Sequence, residues 1–193
     1  MLGMLGVGAG VLSSLGAVGF APEVLTQVGG VTAIGALLGI WIGRRTTAID
    51  LPQMVAALHS VVGLAAVLTS VGSVLSADAS HLSTLHMVTA YLGVLIGGVT
   101  FTGSIVAFLK LAGRMSSKPL ILPGRHLINS ALLAANVATM GVFLTTGAAV
   151  PAVAAACLAG NAALSFIKGW TLTGAVGGAD MREFSVPIFV QEI

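Results

Sequence analysis

Charge is what this sequence has least of. Across 193 residues only 7% are Asp, Glu, Lys or Arg, against 56% hydrophobic, and the mean hydropathy is +1.06. A soluble domain of this size carries about a quarter charged residues to cover its surface, so a water-soluble globular protein is excluded. Cysteine is scarce too. Cys157 stands alone in an apolar run, which excludes an internal disulfide and leaves the redox compartment unreadable. No Walker A loop occurs, and no group of His, Cys and carboxylates has the spacing of a structural metal site. The net charge of +2 is too small to imply a nucleic-acid partner. "GVGAGV" at 6–11 imitates a dinucleotide fingerprint, but it lies in an apolar run, follows no strand and misses the last glycine of G-x-G-x-x-G.

Long apolar runs dominate instead. Six of them, at about 2–21, 25–43, 52–75, 84–109, 127–147 and 151–175, approach the ~20 residues a helix needs to cross ~30 Å of hydrocarbon. Ala, Gly, Leu and Val fill them, without the alternation of a membrane barrel, so the fold class is all-α, a polytopic transmembrane helix bundle in contact with lipid. The first run lacks a basic segment and an obvious cleavage site, and so reads as a membrane helix rather than a signal peptide. Pro22 and Pro151 mark turns, and Asp50-Leu51-Pro52 reads as a helix start with Asp50 as N-cap. Alternating six spans puts Arg44 and Arg45, then Lys110, Arg114, Lys118 and Arg125, in loops on one side, with Lys168 able to snorkel there and Arg182 following. The opposite loops hold only Glu23 and Asp78, so the positive-inside rule puts both termini in the cytoplasm or the mitochondrial matrix.

Polar groups inside the spans are the candidates for function, because ionisable side chains at membrane depth are expensive. His86 lies just inside the fourth span, from the outer side. Gly93, Gly97, Thr100 and Ser104 follow it at helical offsets that keep all five within about 40° of one line. Gly93 and Gly97 form a GxxxG pair suited to close helix approach. His59 repeats the design with Gly63, Ala66, Ser70 and Ser73. Asn129 and Asn136 lie two turns apart in the fifth span; Asn161, Ser165 and Lys168 share a face of the sixth. Glycine stripes are ordinary helix packing, and most Ser and Thr hydroxyls satisfy their own helix carbonyls. For a buried imidazole, proton carriage and structural hydrogen bonding stand level. His81 reads as an outer-loop residue, and His126 as one at the inner boundary.

Several blocks resemble one family. "DLPQMVAALHSVVGLAAVL" (50–68), "YLGVLIGGVTFTGSIVAF" (91–108), "SSKPLILPGRH" (116–126) and "GGAD" (177–180) resemble the membrane domain of proton-translocating nicotinamide nucleotide transhydrogenase. The resemblance is to its beta subunit, or the equivalent part of the single-chain mitochondrial enzyme, over roughly residues 5–181. It implies a component of an enzyme that couples hydride transfer between NAD(H) and NADP(H) to proton movement across the membrane. NAD and NADP would be bound by other domains at the charged face, with no cofactor or metal in this chain. The implied partners are those NAD(H)- and NADP(H)-binding domains, within a dimer of the whole enzyme. The implied home is a bacterial cytoplasmic or mitochondrial inner membrane, the single-chain mitochondrial form being favoured.

By the same resemblance His86 is the proton-channel histidine, seven residues before the glycine of "LG". His59, Thr100, Ser104 and Asn136, taken from the polar stripes of the spans and not from the resemblance, complete the expected proton pathway. Asp180 of "GGAD", with Arg125 and His126 of "RH", is expected to couple to the soluble domains. Departures follow: one early family helix is missing, and after "GGADM" the chain reads "REFSVPIFVQEI". The expected organisation is therefore a transmembrane proton-channel domain at 1–181 and an atypical tail at 182–193, in a fragment or alternative product lacking a nucleotide site. A structural or assembly subunit and an independent small channel or transporter remain the alternatives.

Overall fold

The computed structural model describes residues 2–78 and 82–177. His81, Asp180, Arg182 and the 182–193 tail lie outside them. All regular structure among the described residues is helical: α1 Leu2–Val18, α2 Pro22–Arg45, α3 Leu51–Leu75, α4 Thr84–Leu111, α5 Arg125–Thr146 and α6 Pro151–Gly174. Five of these, α2 to α6, are long and apolar enough to cross a membrane.

The first expected span is shorter than 2–21. Gly19 takes a left-handed φ of 67° and stops α1 at 17 residues, about 26 Å of helix against ~30 Å of hydrocarbon. Glycine is the residue that makes this turn without a Cβ penalty. Proline then starts new helices, at the first or second position of α2, α3 and α6, where its missing N–H has no partner to lose. Asp50 precedes α3 but does not cap it. Its φ and ψ are helical and its carboxylate faces sideways, accepting from Thr47 Oγ1 at 2.6 Å and Gln53 Nε2 at 2.6 Å.

The described chain divides into two compact units, one reaching Thr46 and one starting at Thr47. In the first, α2 buries no residue, and near its end the Arg45 guanidinium stands 4.5 Å over the Trp41 ring, a cation–π pair suited to a membrane interface.

The second unit is built around α4, which packs along both α3 and α6, while α5 lies chiefly against α6. Lipid tails are as apolar as leucine, so close packing and interhelical hydrogen bonds, not hydrophobicity, hold such helices together. The sequence supplies the close packing. A methyl built on Gly97 would sit 2.7 Å from Gly63 O, and one on Gly63 2.6 Å from Phe101 N, so two backbones touch there. Gly93 meets Ser70 one turn away. The Gly93–Gly97 line and the Gly63–Ala66–Ser70 line are thus the two sides of the α3–α4 contact. α4 has a second small face, unforeseen in the sequence, where Gly98 meets Ser165 and Phe166 and Gly103 meets Thr173. Gly169 of α6 returns that approach against Thr102. Tyr91 and Phe143, ring centroids 5.5 Å apart, anchor the core with Val67, Val94 and Leu158.

Four loop assignments change: Arg44 and Arg45 lie in the last turn of α2, and Lys110 and Arg125 also lie within helices. Lys110 is not a loop residue: it lies in the last turn of α4 and is buried, because it has found carbonyl acceptors on α6. Arg125 and His126 belong to the first turn of α5, which starts after the left-handed Gly124.

Candidate functional site

A polar side chain inside a bilayer must find a partner, because no bulk water is there to serve as one. Most hydroxyls follow the expected route. Ser60, Ser73, Thr89 and Thr145 donate to carbonyls three or four residues back on their own helices. A cluster between α4, α5 and α6 behaves differently. Tyr91 Oη lies 2.7 Å from Asn136 O and 2.6 Å from Thr139 Oγ1. Asn161 Nδ2 donates to Tyr91 O at 2.9 Å. Ser165 Oγ reaches Asn161 O at 2.6 Å and Asn161 Oδ1 at 3.1 Å. Tyr91, Asn136, Asn161 and Ser165 are all buried and Thr139 half-buried. Toward the other end of the bundle, Thr171 Oγ1 donates to Asn129 Oδ1 at 2.7 Å, tying α6 to α5.

Three buried side-chain atoms among the described residues have no hydrogen-bond partner: Asn136 Nδ2, Asn136 Oδ1 and His86 Nε2. All belong to residues that the sequence marks for the proton pathway. Asn136 is 1% exposed, so its amide faces the interior with two donors and an acceptor unspent. The cost of one such stranded group is about 1–3 kcal/mol. A water molecule, with its own donors and acceptors, is the usual remedy. His86 occupies the first turn of α4, where its backbone N–H is capped by Ser83 Oγ at 3.2 Å.

The remaining expected residues are more dispersed. Thr100 and Ser104 are half-buried farther along α4, on the Gly93–Gly97 line that faces α3. Tyr91 is five residues from His86, about 140° around the helix, so the Asn136 cluster and the His86 line occupy different faces of α4. His59 is exposed, with Nδ1 2.8 Å from Val55 O of its own helix. Arg125 Nε lies 3.3 Å from His126 Nε2 at the start of α5. Tyr91 and Thr139 were missed in the sequence: a lone tyrosine in an apolar run reads as packing, and only the fold brings its hydroxyl to α5.

A family model described as PNTB, NAD(P) transhydrogenase beta subunit, matches residues 1–188, so the match runs past Met181. Two curated proteins named NAD(P) transhydrogenase subunit beta, one from Rhodospirillum rubrum and one from a designated strain of it, are each 36% identical over 188 residues. The alignment covers 93% of this chain but 38% of each relative. With a family model matched along nearly its whole length and helices of membrane-crossing length, the chain belongs to the NAD(P) transhydrogenase beta subunit family.

Proposed function

We propose that this chain is the proton-passing membrane part of a proton-translocating NAD(P) transhydrogenase, with NAD(H) and NADP(H) held by other domains or subunits. The observation that carries the reading is the coincidence of unspent polar groups. His86 Nε2 and the Asn136 amide are the buried side-chain atoms left without partners among the described residues. An imidazole has one ring nitrogen that can accept a proton and one that can donate it, so His86 is the group that takes up and releases it. A carboxamide cannot do so, but its oxygen can accept from a water and its N–H donate to one. Asn136 therefore orients water, and the hydroxyls of Tyr91, Thr139 and Ser165 extend the donor–acceptor chain beside it.

Thr100 and Ser104 continue the α3-facing line from His86, on a different face of α4 from the Asn136 cluster, and His59 is the inner-side group of that line. Arg125, His126 and Asp180 are the residues assigned to coupling with the soluble domains. The positive-inside rule, applied to Arg44, Arg45, Arg114 and Lys118, supports assigning the α2–α3 and α4–α5 connections to the matrix or cytoplasmic side of a mitochondrial inner or bacterial cytoplasmic membrane. The assembled enzyme is a dimer. "GVGAGV" does not serve as a nucleotide loop: it lies wholly inside α1, where its amides belong to the helix ladder, and no strand precedes it among the described residues.

Thiol accessibility tests the reading. In a Cys157→Ser background, Asn136→Cys is expected to react with a small water-borne thiol reagent far faster than the exposed Val137→Cys in lipid. Equal, negligible rates at both positions would remove the wet site on which proton passage depends. Transhydrogenation by this chain alone would overturn the assignment of nucleotides to other domains.

A further inference from the structure

Lys110 is the one lysine or arginine buried among the described residues, at 3% exposure, and the proton route has no use for it. Its ammonium donates to Gly174 O at 2.8 Å and to Val176 O at 2.5 Å. The amide of Leu120, in the α4–α5 connection, also donates to Gly174 O at 2.9 Å. These acceptors close α6, where the final carbonyls of a helix lack intrahelical partners. α4 ends at Leu111, one residue beyond Lys110, so the C-termini of two helices converge here. Each carries roughly half a negative charge, and the single ammonium between them offsets both. The same connection covers the chain as it leaves α6: a methyl on Gly177 would lie 3.4 Å from Pro119 and 3.8 Å from Ser117 O. A cation is expensive to bury, and a lysine facing lipid could have snorkelled to water. This one turns inward onto backbone acceptors of another helix.

We propose that Lys110 is a positioning residue: it locks the end of α6, and the chain leaving it at Gly177, to the end of α4, the helix that bears His86. A displacement of α4 is then delivered to whatever follows Gly177. The lock stands on the geometry alone; what it transmits rests on the proton-passing reading above.

The test uses the assembled enzyme containing this chain, in vesicles, with spin labels at Arg114→Cys and Val176→Cys in a Cys157→Ser background. With Lys110 intact the label distance is a single narrow population. Lys110→Met is expected to broaden it, and Lys110→Arg, which keeps charge and donors, to restore it. In unlabelled enzyme Lys110→Met is expected to lower protons moved per hydride transferred at least fivefold, with hydride transfer changed less than twofold and Lys110→Arg recovering the ratio. A narrow distance in Lys110→Met, or an unchanged ratio, overturns the proposal. Should Lys110→Met fail to assemble, Lys110→Gln is read by the same two criteria. If the unmutated enzyme moves no protons, the transport reading fails, while the distance measurement still decides the lock.

Discussion

Replacing Asn136 and Asn161 in turn by leucine separates a residue kept for function from one kept for structure. Leucine has the same branched skeleton as asparagine and removes only the amide's polarity. At Asn136 the two unpartnered amide atoms cost about 1–3 kcal/mol each if left dry, less if water meets them. Against their removal stands about 1–3 kcal/mol for fitting bulkier methyls into a closed site. The relief offsets the packing penalty in whole or in part, so Asn136→Leu should cost no more than about 1–3 kcal/mol, and less the drier the site. At Asn161 the balance differs, because its amide donates to Tyr91 O and accepts from Ser165 Oγ. The first crosses from α6 to α4 and the second stays within α6; interhelical bonds average ~0.6 and reach ~1.7 kcal/mol in membrane proteins. Adding the same packing penalty, Asn161→Leu should cost about 2–4 kcal/mol. The assay is SDS titration of the chain in mixed micelles, followed by far-UV circular dichroism. Asn161→Leu should be the less stable of the two by at least ~1 kcal/mol. If Asn136→Leu is instead the more damaging, Asn136 is a structural partner and the argument from its empty amide fails.

Three further outcomes are expected. Gly97→Ala should cost at least about 1–3 kcal/mol in the same titration, because its methyl meets the Gly63 carbonyl at 2.7 Å and backbone cannot step aside. Gly141→Ala, with nothing within 4 Å, should be neutral or gain up to ~1 kcal/mol from helix propensity; equal losses at both would refute the α3–α4 contact. Tyr91→Phe should cost only about 0.5–1.5 kcal/mol, since Thr139 and the Asn136 carbonyl keep their intrahelical bonds. Ser83→Ala removes the cap on the His86 amide and should cost ~1 kcal/mol; hydrogen exchange confined to the first turn of α4 is the readout.

The spans were legible because composition alone decides them: 20-residue apolar runs in a chain this short of charge have no other stable use. Their ends were placed less well, since Gly19 and the left-handed Gly124 act through backbone conformation that hydropathy does not register. Helical spacing marked Gly93 and Gly97, and separately Gly63 and Ser70, as small faces of their helices; that the two faces meet each other comes from the fold. Spacing could not say how far along α3 the neighbour follows, and His59, a turn beyond Gly63, is exposed. Lys110 was read as a loop cation because a charge at the end of an apolar run usually is one; only the arrival of α6 supplies the acceptors that bury it. Asn136 stood out as a polar residue in an apolar run. That its amide has no partner depends on what α4 and α6 bring to it.

Proton uptake driven by hydride transfer tests the central claim most directly. The assembled transhydrogenase is reconstituted in sealed vesicles with an entrapped pH dye, and Asn136→Leu and His86→Ala are compared with the unmutated enzyme. Both variants should assemble with near-normal stability yet lose at least tenfold in proton flux. Unchanged flux in both, with the enzyme intact, would contradict the assignment of the proton path to this bundle.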